Sequence, residues 1–224
     1  MIPYQDLNRT RHFPVVTLAI IALNLAAFAV ELSLRGPEAT AFLYRYAVIP
    51  DEFRIGHNLP ISAGPAPFAT LFTGLFLHGG FLHLFGNMLY LWIFGDNVED
   101  RMGPFRFLIF YLVCGILAFL AQIYSNFDSR IPSLGASGAI AGVLASYLVQ
   151  FPRARVKVLV PVFYFLRTVI LPAWLVLGGW LLLQIVAVRF SPVGATGGVA
   201  YYAHIGGFVA GLLLTPAFQR SGRR

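Results

Sequence analysis

Four residues in this chain have side chains and surroundings suited to chemistry. Ser137 stands in GASGAIAG among glycine, alanine and isoleucine only, and His204 stands in AHIGGFVAG. His83 and Asn87 belong to HGGFLHLFGNM. A serine hydroxyl is a weak nucleophile at neutral pH and needs a base within hydrogen-bond reach. Histidine suits that role, because it takes the proton and later returns it to a leaving amine. His83 and Asn87 are spaced i, i+4, so they share one helix face, and both can donate to developing negative charge. Backbone amides at the start of the helix carrying Ser137 would add to them. The set reads as serine acyl transfer by a two-residue dyad. A third, acidic member is poorly supplied: Asp96, Glu99 and Asp100 fall at the far end of their helix, and Asp128 and Glu31 lie in a loop and at another helix end. A metal centre is the competing reading of the histidines. His78 and His83, five apart, would diverge by roughly 140° on an ideal helix, and an amide such as Asn87 is a poor zinc ligand. No metal and no cofactor is expected.

The elements that must position these residues are membrane spans. Of 224 residues 58% are hydrophobic and 11% charged, with a mean hydropathy of +0.75. Soluble domains carry about 25% charged residues. The net charge of +7 comes from short basic clusters beside apolar runs, without the aromatic–basic modules of nucleic-acid binders, so nucleic acid is not an expected partner and the lipid bilayer is. The single cysteine, Cys114, leaves the redox compartment unread. The run from Val15 to Leu34 is too long for the apolar part of a signal peptide. Six spans are expected, at 15–34, 79–95, 104–124, 136–151, 168–188 and 199–218. They form one all-α transmembrane domain over 15–218, with a cytoplasmic segment 1–14 before it and a basic tail 219–224 after it. With both termini cytoplasmic, eleven of the 16 basic residues lie inside and five outside, the bias that orients membrane proteins. Helices two, four and six then enter from the outer side. His78, His83, Asn87, Ser137 and His204 consequently fall at similar depth in its outer half.

Spacing also says how the helices meet. Gly138 and Gly142 on helix four, and Gly207 and Gly211 on helix six, are small residues four apart, the pattern that lets backbones touch in lipid. Gly135 precedes the serine. Helix four, at 16 residues, is roughly 24 Å long against about 30 Å of hydrocarbon. Its outer end should therefore lie below the surface, met by the NFDSRIPSLG segment and by water. The connection 35–78, with Pro37, Pro50, Pro60, Pro65 and Pro67, is long and rich in aromatic and aliphatic residues, which favours packing at the interface over a free loop. SPVGATGGVAYY before helix six is either an ordinary solvated loop or a cap over the site. His12 and His57 are expected to be plain loop residues, His78 and Glu99 structural ones.

Together GASG, AHIGGFVAG, HGGFLHLFGNM and GDNVEDRMG, ordered over residues 78–211, resemble the rhomboid family of intramembrane serine proteases. The resemblance implies six helices, Ser137 as nucleophile, His204 as general base, and oxyanion contacts from His83, Asn87 and the Ser137 amide. It implies single-spanning transmembrane proteins as substrates, and the expected location is a plasma (inner) membrane of bacterial type. Two features depart from the family pattern. The first-loop Trp-Arg pair is absent, the chain reading APFATLFTG before helix two. The aromatic residue one turn after the serine is Ala141, which leaves Tyr201 or Tyr202 to support His204. The alternative reading is a non-catalytic relative that binds transmembrane helices as a chaperone or adaptor.

Overall fold

A computed structural model of the chain describes residues 1–162, 165–190 and 199–219. Helix α1 (Val15–Ser33) leads into a connection built from short helices: α2 (Pro37–Tyr46), α3 (Pro50–Ile55) and α4 (Pro67–Thr73), with 3₁₀ turns at Pro60–Ser62 and Gly74–Phe76. Each of these three helices opens on proline, whose fixed φ suits a first helical turn and whose missing N–H costs nothing there. The long helices α5 (Phe81–Met102) and α6 (Pro104–Ser125) follow, then α7 (Ser137–Gln150), α8 (Ala173–Phe190) and α9 (Tyr201–Phe218). Gly103, at φ 83°, ends α5, and Pro104 starts α6 directly after it, a glycine stop followed by a proline start.

Among the described residues, four helices are long and apolar enough to cross a membrane: α1, α6, α8 and α9. The Pro67–Phe76 segment and α5, bent by 81° at their junction, make a fifth if taken as one span. At 14 residues, α7 is shorter than the expected 136–151 and is the central helix, buried at every residue from Gly138 to Tyr147. It is surrounded by α5, α6, α8 and α9. The outer helices expose large apolar side chains, including Leu23, Leu25 and Val30 on α1 and Leu182, Leu183 and Val186 on α8. Water would penalise such a surface and hydrocarbon does not. The chain is an integral membrane protein of mostly helical structure.

The expectation of an all-α chain needs correction at one end of the bundle. Residues Ile2–Asp6 (β1), Arg155–Val162 (β2) and Phe165–Pro172 (β3) form an antiparallel sheet in the order β1-β2-β3. In β2, Val156 and Val158 are fully buried and join the helical core. This is the period-2 alternation of a half-buried strand in a run of β-branched residues. The span expected at 168–188 therefore starts at Ala173, since its first five residues are strand. The N-terminal segment 1–14 is tied down by β1, where Asp6 Oδ2 accepts hydrogen bonds from Asn97 (2.8 Å) and the Tyr147 hydroxyl (2.9 Å). His12 is not a plain loop residue either, since it pairs with Asp100. At the same end the Glu99 carboxylate accepts from the amides of Val16 (2.9 Å) and Thr17 (2.7 Å) and from the Thr17 hydroxyl (2.8 Å). It thereby caps the unsatisfied N-terminus of α1.

Candidate functional site

The opposite end of the bundle gathers the polar residues singled out in the sequence. Ser137 is the first residue of α7, and the segment before it is pinned on both sides. Val48 and Ser133 exchange backbone hydrogen bonds of 2.9 and 2.7 Å, the Asp51 amide donates to Ser129 O, and the Gly135 amide donates to Gly74 O. The Asp51 side chain, buried, pairs with Arg130 (2.8 Å) and with Arg54. Those two guanidiniums, Arg130 first, hold its carboxyl below the usual carboxylate range. Loop packing without the Trp-Arg pair thus rests on Asp51 and on Glu52, whose carboxylate accepts from the Leu59 amide (2.8 Å) and from Ser62.

Gly135 has φ 118°, a backbone conformation that L side chains rarely adopt. A Cβ there would also lie 2.7–2.8 Å from the His83 ring and 3.8 Å from Asn87 Nδ2. The residue before Ala136 and Ser137 therefore lies directly against the His83/Asn87 face. The first intrahelical hydrogen bond of α7 is Ile140 N to Ala136 O, so the amides of Ser137, Gly138 and Ala139 have no partner inside the helix.

His204 is buried in the first turn of α9. Its Nε2 lies 2.8 Å from Ser137 Oγ. The glycine pairs set that separation. A Cβ on Gly207 would stand 2.0 Å from Gly138 O, and one on Gly211 would stand 2.3 Å from Gly142 O. Helix α6 closes on the same seam: a Cβ on Gly138 would be 2.5 Å from Ala118 Cβ, one on Gly142 would be 2.6 Å from Cys114, and one on Gly207 would also be 3.3 Å from Ala118 Cβ. Helices α7 and α9 are therefore in backbone contact, with the small side chains of Ala118 and Cys114 on α6 packed against α7, as small residues permit. A cavity of ≈ 10 Å³ adjoins Ser137, lined by Leu75, Gly115, Phe119, Gly138 and Ala203 among others, about the space of one water.

Three residues have roles that the sequence did not disclose. His78 precedes α5 and is not part of it, so the angle taken from an ideal helix does not apply. Its ring lies 5.0 Å from that of His83, and its Nε2 is 2.9 Å from Asn87 Nδ2. The backbone amide of His78 donates to Glu31 (3.1 Å), which fixes the turn into α5. Gln184, on α8, places Oε1 2.8 Å from His204 Nδ1. Trp180, one turn earlier on α8, lies over the His204 ring at 5.6 Å and 36°, whereas Tyr201 meets it edge-on at 6.4 Å. The aromatic neighbour of His204 thus comes from α8 as well as from the adjacent tyrosine. The one available signal was Gln184 itself, a lone amide in an apolar span, which is expensive unless used. The SPVGATGGVAYY segment falls largely outside the described residues.

The model of the Rhomboid domain matches residues 65–221 of the chain. Rhomboid protein 1, mitochondrial, of Saccharomyces cerevisiae is 27% identical over 202 residues, which are 87% of this chain and 51% of that protein. RHOMBOID-like protein 1 of Arabidopsis thaliana is 28% identical over 227 residues (90% of this chain, 52% of that protein). Rhomboid protease GluP of Bacillus subtilis is 33% identical over 147 residues (66% and 25%). The chain spans about half, or less, of the length of these relatives.

Proposed function

The chain belongs to the rhomboid family, and from that premise we propose that it is an intramembrane serine endopeptidase in which Ser137 is the nucleophile and His204 the general base. The observation that carries this reading is the 2.8 Å approach of Ser137 Oγ to His204 Nε2 at the buried start of a central helix. In the proposed reaction Ser137 Oγ adds to a peptide carbonyl while its proton passes to Nε2. The tetrahedral oxyanion is stabilised by the unpartnered amides at the start of α7, by His83 and by Asn87. His78 accepts one of the two Asn87 amide hydrogens and leaves the other for the oxyanion. Collapse expels the amine, which leaves with the proton from His204. Water, deprotonated in turn by His204, then cleaves the acyl-serine and restores the hydroxyl.

The substrates proposed are single-spanning membrane proteins, cut within their transmembrane segments. In this reading there are six spans, formed by α1, the bent Pro67–Phe76/α5 pair, α6, α7, α8 and α9. They form a single protease domain over 15–218. The sheet end, with its basic residues, faces the cytoplasm, as do both termini, and the site faces outward from a plasma membrane of bacterial type.

The test uses purified protein in detergent and a single-spanning substrate with small residues near its outer end. Ser137→Ala and His204→Ala are each expected to lower kcat by at least ~10³-fold. A fluorophosphonate should label Ser137 in the unmodified chain and not in His204→Ala. Undiminished cleavage by Ser137→Ala would falsify the mechanism. A non-catalytic helix-binding member would show neither cleavage nor labelling.

A further inference from the structure

Helix α8 presents mostly apolar side chains, several of them, such as Leu182, Leu183, Ile185 and Val186, exposed. Gln184 is its one amide, and both ends of that amide are engaged. Oε1 is 2.8 Å from His204 Nδ1, and Nε2 donates back to the Trp180 carbonyl at 3.4 Å. Resting on the reading of Ser137 and His204 as nucleophile and base, we infer that Gln184 is the positioning residue of the dyad: its carbonyl oxygen holds His204 in the tautomer that accepts the serine proton.

The donor and acceptor inventory requires it. A carbonyl oxygen only accepts, so the proton of a neutral imidazole facing it must be on Nδ1, which leaves the Nε2 lone pair directed at Ser137 Oγ. The other tautomer sets two lone pairs against each other at Nδ1 and turns an N–H toward the hydroxyl. Exchanging the ends of the amide would instead set Oε1 against the Trp180 carbonyl. One arrangement therefore satisfies the whole chain Trp180 O, Gln184, His204, Ser137. When Nε2 takes the proton, the ring carries a positive charge, and the Gln184 carbonyl dipole already points its negative end at Nδ1–H. An amide does this without a second charge in the hydrocarbon, where a carboxylate is expensive. Trp180, covering the same ring from the same helix, restricts its tilt. The histidine is on α9, but its orientation is set by α8.

Gln184→Met keeps length and helix propensity and removes the acceptor; Gln184→Glu keeps the acceptor. In the substrate assay, Met is expected to lower kcat roughly 10- to 100-fold with KM within about twofold, and Glu to recover most of the loss. A Met variant with full kcat, or Met and Glu variants equally impaired, overturns the positioning role. Ser137→Ala in the same assay separates the two ideas, since its activity would overturn the proposed function itself. The tautomer is also read in the unmodified protein by 15N NMR of labelled histidine, with His204 assigned by its loss in His204→Ala. Protonation at Nδ1 supports the inference, and a proton resident on Nε2 overturns it whether or not either variant folds.

Discussion

Single residues at the site leave no room for an added methyl, and Gly135, which also has a positive φ, tests this directly against the His83 ring. Alanine there must adopt φ near 118° and place a methyl on the His83 ring. Such backbone strain costs about 1–3 kcal/mol, to which the clash adds. Gly135→Ala is expected to slow fluorophosphonate labelling of Ser137 and to lower the thermal midpoint. Gly86→Ala, on the same helix as His83 and with nothing within 4 Å of the added Cβ, serves as the control and should leave both unchanged or slightly improved. At this scale the sequence exposes residues that are chemically out of place. A serine and a histidine among small residues could be read, and the glycines beside them implied that their helices approach closely; the 2.8 Å contact itself is visible only in the structure. Gln184 could not be read in the same way, because its meaning lies in a partner 20 residues further on and an amide in an apolar span carries no charge that marks it as a third member.

Helices, in turn, are positioned by what they lack. The α7–α9 contact runs through Gly138, Gly142, Gly207 and Gly211, with no room for a methyl on Gly207. Gly207→Ala should push α9 away from α7 and carry His204 with it, since the imidazole is one turn from that contact. The expected result is loss of both cleavage and labelling with a large fall in thermal midpoint, measured by differential scanning fluorimetry in detergent. A variant that labels normally would show that the helix approach does not set the dyad distance. Apolar runs located the helices, because a span must be long and uniformly apolar. The strands were hidden by the same feature: RVKVLVPV and FLRTVILP continue an apolar stretch, and only the alternation of Val156 and Val158 with Arg155 and Lys157 distinguishes them. His78 lies outside α5 for a related reason, since Gly79 and Gly80 break helical continuity before Phe81.

The whole molecule has a Ser137/His204 end and a sheet end, joined by α7, and the sheet end has its own pH dependence. Burial pushes the Asp6 carboxyl up to about 6, with the Tyr147 hydroxyl opposing and the charge of Asp96 reinforcing the shift. A raised carboxyl binds protons more tightly folded than unfolded. Its stabilising contribution is therefore complete below the unfolded value of about 3.9 and is lost as pH rises through about 6. Unfolding midpoints of the unmodified chain, measured relative to Asp6→Asn, should fall between pH 4 and 7 and level off above. A pH-independent difference would rule out this account of the sheet end. The same strand also bears on how the protein is made. Ile2 pairs with Leu159, and β2 itself pairs with β3 out to Pro172. At ribosomal rates of about 5–20 residues per second, β1 waits on the order of 10–30 s for its neighbour. During that time its ladder groups have no partner strand, while the proposed spans α1, Pro67–Phe76/α5, α6 and α7 are being made. Closing the sheet is thus a late event in biosynthesis, one that joins residues made before α1 to a segment completed only after Ser137 and α7 have been synthesised.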